Sequence, residues 1–115
     1  MGDTPQEVFQ HHIEALAAGD LDGLVADYAD NALVMTATGE YRGPAAVREL
    51  FAGIMEALPD ATFGAQLTAF ADDALLLHWT ADSSLNSIPD GVDTFVFEGG
   101  RIRLQTISCT LTPKS

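Results

Sequence analysis

The hydrophobic periodicity of the chain changes near Ala61, and this change constrains the fold more than any other feature. Before Ala61, apolar residues recur with the spacing of helices that bury one face. After Ala61, apolar and polar residues alternate in short runs, as they do in strands. The sequence therefore predicts an α+β domain in which helices pack on one face of an antiparallel sheet.

Three helices are predicted from the start and stop signals of the first half. Thr4 followed by Glu7 has the spacing of a capping box. A second helix is expected after the terminator Gly19, with Tyr28 on its apolar face. A third helix begins at Pro44 and ends at a proline-aspartate pair before the strands.

The strands are predicted mainly in the second half, and their turns are short. The predicted strands are residues 32–37, 62–71, 74–81, 92–98 and 101–111. Residues 82–90 are polar and are expected to form a longer connection. Several strands are apolar on both faces, so the outer face of the sheet is expected to contact a second copy of the chain.

Composition excludes several classes of partner. The sequence has 17 acidic and 5 basic residues and a net charge of −12. Nucleic acids and anionic membranes are disfavoured, because both are bound through Lys and Arg. The single cysteine, Cys109, excludes an internal disulfide and fits a reducing compartment such as the cytoplasm. No signal peptide, membrane-length apolar stretch or metal-ligand spacing is visible, so residues 1–115 are predicted to be one soluble domain without a metal or other cofactor.

Several segments, in order along the chain, carry a family resemblance. They are residues 15–25 (Ala-Leu-Ala-Ala-Gly-Asp-Leu-Asp-Gly-Leu-Val), 28–32 (Tyr-Ala-Asp-Asn-Ala), 41–51 (Tyr-Arg-Gly-Pro-Ala-Ala-Val-Arg-Glu-Leu-Phe) and 93–102 (Asp-Thr-Phe-Val-Phe-Glu-Gly-Gly-Arg-Ile). Together they resemble the SnoaL-like and ketosteroid-isomerase-like branch of the nuclear-transport-factor-2-like superfamily. The resemblance covers essentially the whole chain. It implies a cystatin-like, cone-shaped barrel in which three N-terminal helices pack on a strongly curved antiparallel sheet around a small apolar ligand.

The same resemblance gives expectations for individual residues. Thr36 falls where ketosteroid isomerases have a carboxylate base, and threonine cannot serve as a base near neutral pH. His12 and Phe51 fall where those enzymes have tyrosines. Asp93 matches the aspartic acid of their oxyanion hole. Efficient steroid isomerisation is therefore not expected, although Asp93 is retained.

Asp93 and His12 are the candidate catalytic residues. Strand alternation places Asp93 on one face with Phe95 and Phe97, where loss of water would raise its pKa. The alternative is a solvated residue at the start of a strand. His12 shares a helix face with Leu16, so it is either a core histidine or a group that polarises a carbonyl or pairs with Asp93.

Strand register assigns the remaining candidates. In the expected register, the side chains of His78 and Gln105 point into the cone and that of Trp79 points outward. A slip of one residue would move the side chains of a strand to the opposite face. The predicted ligand pocket comprises Tyr28, Thr36, Leu50, Phe51, Ile54, His78, Phe95, Gln105 and Ile107. The predicted dimer interface comprises Trp79, Val96 and Leu104.

Two functions remain open from the sequence. The first is a cofactor-independent proton-transfer enzyme of the isomerase, cyclase or dehydratase type, acting on a carbonyl compound. The second is a non-catalytic module that binds a small apolar ligand or mediates dimerisation. An open interior on which polar groups converge favours the enzyme, and an interior filled by side chains favours the module.

Overall fold

The structure is a computed structural model that describes residues 4–114, and its helices and strands follow the predicted order. The helices of this part of the chain are α1 (Pro5–Ala18), α2 (Leu21–Val25) and α3 (Gly43–Ala57). The strands are β1 (Tyr28–Thr36), β2 (Gly39–Arg42), β3 (Thr62–Ala71), β4 (Ala74–Asp82), β5 (Asn86–Glu98), β6 (Arg101–Ser108) and β7 (Thr112–Pro113). The predicted α+β class is confirmed.

The ends of α1 lie where the sequence predicts them. The Thr4 hydroxyl accepts a hydrogen bond from the backbone N–H of Glu7, and the Glu7 carboxylate accepts one from the backbone N–H of Thr4. Gly19 ends the helix with φ of 69°, a conformation that glycine adopts without steric cost. The predicted extent of the second helix is wrong, because α2 ends at Val25 and Tyr28 begins β1.

The sheet is mixed, so the expectation of a wholly antiparallel sheet is wrong. Its strand order is β2-β1-β6-β5-β4-β3, with β7 paired to β5. Neighbouring strands are antiparallel except β1 and β6, which run parallel. The reason is topological: α3 carries the chain from β2 to the far edge of the sheet, and the meander from β3 onward returns to place β6 beside β1. Parallel neighbours require such a crossover.

The polar connection predicted over residues 82–90 is largely strand. Strand β5 begins at Asn86, where it pairs with both β4 and β7. Asn86 is buried and its side-chain amide donates to the backbone carbonyl of Ala57 at the end of α3. Ser83 closes the short turn that remains, since its hydroxyl donates to the Asn86 carbonyl at 2.7 Å. Side-chain hydrogen bonds of this kind allow a polar segment to be buried.

The hydrophobic core lies between the helices and one face of the sheet. Its fully buried members come from α2, β1, α3, β4, β5 and β6, and they include Leu24, Val34, Val47, Leu75, Phe95 and Ile102. Each such side chain contributes roughly 1.5–3 kcal/mol by leaving water. A second, smaller cluster of buried apolar residues contains Leu58, Ala81 and Ile88. No helix within residues 4–114 is long and apolar enough to cross a membrane.

Candidate functional site

A cavity of about 590 Å³ lies between α1, α3 and the inner face of the sheet. Most of its wall is apolar and comes from both helices and from strands β3 to β6, including Phe9, Ile13, Leu16, Leu50, Phe51, Ile54, Phe63, Leu77, Phe95 and Ile107. The polar side chains in its lining are His12, Thr38, Tyr41, Trp79, Asp93, Gln105 and Cys109. The interior is therefore open, and its few polar groups converge on one apolar space.

Asp93 is the only carboxyl group in the described cavity lining. The side chain is 6% exposed, and each of its oxygens accepts one hydrogen bond. Trp79 Nε1 donates to Oδ1 at 2.8 Å, and Gln105 Nε2 donates to Oδ2 at 3.0 Å. Burial raises the pKa of Asp93 to about 6, and the two N–H donors oppose that rise. The group therefore exchanges its proton near neutral pH, and the interpretation of Asp93 as a solvated residue is wrong.

Gln105 is fixed by a second hydrogen bond on its other side. The Tyr28 hydroxyl donates to Oε1 of Gln105, which leaves Nε2 directed at Asp93. Tyr28 is itself buried, and burial raises its pKa well above the ordinary tyrosine value, with Asp93 adding to the rise. Tyr28 is therefore a neutral donor that orients the amide, and the amide in turn orients the carboxyl group.

His12 lines the cavity from α1 and is neutral at pH 7. Burial, with a smaller contribution from His11, lowers the pKa of His12 to about 4. The rings of Tyr28, Phe51 and Phe95 surround the imidazole edge-on, with centroids 5.5 to 6.0 Å away. Its Nδ1 is buried without a hydrogen-bond partner among residues 4–114. The expected hydrogen bond between His12 and Asp93 does not form within this part of the chain.

Trp79 reaches Asp93 because the opposing strand has no side chain at the contact. Trp79 on β4 pairs with Gly91 on β5, and a Cβ at Gly91 would lie 2.2 Å from Cε2 of the indole. The ring therefore lies directly over the glycine backbone. A glycine inside a strand commonly marks such a close approach.

Most of the chain matches a known domain family. The family model of the SnoaL-like domain matches residues 9–105. The chain belongs to the SnoaL-like domain family. The resemblance carried by the sequence segments is thereby confirmed.

Solved structures of low sequence identity share the SnoaL-like fold of the chain. A proposed polyketide cyclase from Sinorhizobium meliloti superposes with a TM-score of 0.77 at 17% identity, over 88% of this chain and 93% of that chain. A cystatin-fold protein from Novosphingobium aromaticivorans superposes with a TM-score of 0.78 at 18% identity, over 90% of this chain and 97% of that chain. A SnoaL-like protein of unknown function from Burkholderia thailandensis superposes with a TM-score of 0.76 at 20% identity, over 91% of this chain and 93% of that chain. At these identities the likeness shows the fold and not an activity.

Most of the residues predicted for the pocket of this SnoaL-like chain do line the cavity, namely Leu50, Phe51, Ile54, Phe95, Gln105 and Ile107. Tyr28 does not line it and lies behind Gln105 instead. Thr36 also lies outside the lining, because its hydroxyl is engaged with Thr38 at 2.9 Å and Thr38 takes the lining position.

The predicted register of β4 is wrong by one residue. Leu77 and Trp79 face the cavity, whereas His78 is exposed on the other face. Trp79 is therefore a cavity residue and not a residue of the outer face. The strand is apolar at Leu75, Leu76 and Leu77 alike, so its alternation did not identify the inner face.

The other two predicted interface residues do lie away from the cavity. Val96 and Leu104 are half-buried cross-strand partners on β5 and β6, between neighbours that face the core. Leu104 also pairs with Leu33 of β1. These three residues form a continuous apolar row across the outer face of the sheet.

Sequence reasoning missed the main hydrogen-bond donor of the site. The predicted register turns Trp79 outward, although Gly91 within a strand is a signal that a large side chain approaches there. Phe9 and Leu16 of α1 also line the cavity and could have been found from the helix face that they share with His12. Within the described residues, no group of three or more His, Cys, Asp or Glu side chains could hold a metal ion.

Proposed function

We propose that the chain binds a small, largely apolar carbonyl compound in the cavity and catalyses cofactor-independent proton transfer on it. The observation that carries the proposal is a single buried carboxyl group, Asp93, whose pKa is raised to about 6 inside an open apolar cavity. General acid–base catalysis is most efficient when the pKa of the group lies near the working pH. The proposal takes the helices and the curved sheet as a cone-shaped barrel whose interior is the ligand site.

The chemistry follows from the ionised form of Asp93. A carboxylate oxygen takes a proton from the carbon next to the carbonyl, and the electron pair of that C–H bond moves toward the carbonyl oxygen. Asp93 then returns the proton to another carbon, or gives it to a leaving hydroxyl group. The first outcome is an isomerisation and the second a dehydration. Attack of the same enolate on a second carbonyl closes a ring and leaves an alkoxide, to which Asp93 returns its proton. A proposed polyketide cyclase is among the structures of this fold.

His12 is the proposed donor to the carbonyl oxygen. A neutral imidazole carries one proton, and a buried N–H without a partner is costlier than a buried lone pair without one. Because Nδ1 of His12 has no partner in the described chain, the proton is expected on Nε2. An Nε2–H donor stabilises the negative charge that develops on the carbonyl oxygen.

A non-catalytic ligand-binding module remains the second candidate. The position where ketosteroid isomerases have a carboxylate base holds Thr36, and Thr36 lies outside the cavity lining. The two candidates differ in one respect that can be measured. An enzyme accelerates proton exchange on a bound ketone, whereas a module binds the ketone and leaves its protons unchanged.

A homodimer through the outer face of the sheet accompanies either function. Leu67, Leu76 and Met35 are exposed by 44%, 39% and 40%. Together with Val96 and Leu104 they form an apolar face that a second copy of the chain would cover. Isologous pairing of one face is the commonest way in which small domains assemble.

The experiment uses 2-tetralone, an apolar bicyclic ketone, in deuterated water. Uptake of deuterium next to the carbonyl is followed by proton NMR with the unmodified protein, with Asp93→Asn and with Asp72→Asn. Asp72→Asn removes one carboxylate from an exposed turn outside the cavity and is the matched control. We expect acceleration by the unmodified protein that rises through about pH 6 and falls about 10²–10⁴-fold in Asp93→Asn. Binding of the ketone with equal exchange in all three proteins would leave the module as the function.

A further inference from the structure

The carboxylate of Asp93 has no cationic partner inside the protein. No Lys or Arg lines the cavity in the described part of the chain, and both groups that contact the carboxylate are neutral N–H donors. Buried charges in proteins are ordinarily paired with an opposite charge. The site therefore holds an anion whose compensating charge the described chain does not supply.

Other titratable groups near Asp93 do not supply that charge either. His12 from α1 is neutral, because burial lowers its pKa to about 4. Tyr28 from β1 and Cys109 beyond β6 are neutral acids whose pKa values are raised, in part by Asp93 itself. Leu77, the cross-strand partner of Asp93, and Phe51 of α3 add apolar side chains to the cavity lining. Each oxygen of Asp93 accepts only one hydrogen bond from the chain, and a carboxylate oxygen can accept two.

Several aromatic side chains line the same cavity as this carboxylate. Phe9 and Phe95 meet edge to face with centroids 5.9 Å apart, and Phe51 and Trp79 also line the cavity. Aromatic faces attract cations through their quadrupole. The net charge of −12 acts in the same direction over a longer range, since it raises the local concentration of cations and lowers that of anions.

We propose that the cavity accepts apolar molecules that carry a protonated amine, with the ammonium group hydrogen-bonded to Asp93 and the hydrocarbon against the aromatic side chains. This ligand class rests on the proposed function only in that the cavity is a binding site. It does not require that a bound molecule react. A protonated amine supplies the missing positive charge and occupies the free acceptor positions of the carboxylate.

The test compares two probes of the same shape, 2-naphthylmethylamine and 2-naphthylmethanol, by isothermal titration calorimetry. At about pH 7.5 Asp93 is ionised, and we expect the amine to bind roughly tenfold more tightly than the alcohol. Both probes can donate a hydrogen bond to the carboxylate, but only the ammonium group adds the attraction of an opposite charge. At about pH 5 Asp93 is protonated while the amine keeps its charge, so the preference is expected to disappear.

Three variants sharpen the result. Asp93→Asn is expected to abolish the preference at both pH values, whereas Asp72→Asn, which removes an equal charge from an exposed turn, is expected to keep it. Trp79→Phe removes one donor to Asp93 and is expected to move the loss of preference to higher pH, which provides a readout even where Asp93→Asn fails to fold.

The outcomes separate this inference from the proposed function. Alcohol binding without a preference for the amine overturns the inference and leaves the carbonyl-binding function standing. A preference for the amine that persists at low pH or in Asp93→Asn also overturns it, because the positive charge would then be recognised elsewhere. If neither probe binds the unmodified protein, the inference is overturned, and the deuterium exchange of 2-tetralone still decides the proposed function.

Discussion

Replacement of Asp93 by asparagine should stabilise the protein at neutral pH and change the pH dependence of its stability. In the folded chain the pKa of Asp93 is raised from 3.8 to about 6, chiefly by burial. An acid whose pKa is higher in the folded state binds its proton more tightly there. The free energy of unfolding therefore falls as the pH rises from 3.8 to about 6, and this contribution is constant above that range.

The magnitude follows from the size of the shift. Roughly two pH units correspond to about 3 kcal/mol lost between low and neutral pH. Asparagine does not titrate, so the variant lacks this loss. Its amide also places an NH₂ group against the donor of Gln105, which costs about 1 kcal/mol at any pH. That constant cost cancels when the variant is compared with the unmodified protein at two pH values.

His12 also makes the free energy of unfolding depend on pH, with the opposite sign to Asp93. Its pKa is lowered from 6.5 to about 4, so the unfolded chain binds a proton first and stability is lost as the pH falls through that window. The size is again roughly 3 kcal/mol. In the unmodified protein the two slopes nearly offset each other between about pH 4 and 6. In Asp93→Asn the slope of His12 is expected to appear alone.

Urea unfolding followed by far-ultraviolet circular dichroism measures both effects. At about pH 7.5 and about pH 4, the difference in unfolding free energy between Asp93→Asn and the unmodified protein should change by about 3 kcal/mol in favour of the variant at the higher pH. Asp72→Asn should show no such change. Parallel pH profiles for Asp93→Asn and the unmodified protein would refute the reasoning, since they would mean that Asp93 titrates alike in both states.

Further predictions concern the donor to Asp93, the steroid reaction and the assembly. Trp79→Phe should raise the pKa of Asp93 by roughly one to two pH units, because a hydrogen bond to a charged group is lost, and the pH profile of deuterium exchange should shift by the same amount. Turnover of a β,γ-unsaturated ketosteroid should be very weak, since Thr36 occupies the position of the isomerases' base and Asp93 matches their oxyanion-hole acid instead. Turnover comparable to that of a true isomerase would contradict the residue matching. Light scattering at micromolar concentration should give twice the 12.2 kDa monomer mass, and the Leu104→Glu variant should give the monomer mass. A monomer mass for the unmodified protein would count against the dimer.

The periodicity of the sequence was sufficient for the class of fold, because the apolar spacing changes where the structure changes from helices to its main strands. The burial of Asp93 was also accessible, since Phe95 and Phe97 follow it at strand spacing and are buried with it. Both inferences depend on local spacing, which the sequence carries directly.

The inner face of β4 and the parallel pair β1 and β6 were not accessible in the same way. Three consecutive leucines make both faces of β4 apolar, so which face is buried depends on β5 and on Gly91. The position of β6 beside β1 depends on the path of the whole meander. Neither is a property of one segment, and alternation within a segment cannot determine it.

The parallel pairing of β1 with β6 has a consequence for how the protein is made. Strand β1 is synthesised well before one of its two neighbours, because β2 to β5 lie between β1 and β6 along the chain. Until β6 emerges, the buried side chains Tyr28 and Val34 lack the strand that covers their edge of the sheet. Contacts between residues so distant in sequence slow folding and expose unpaired strand edges. The nascent chain is therefore expected to complete this fold only after β6 has left the ribosome, and to depend until then on protection of an open sheet edge.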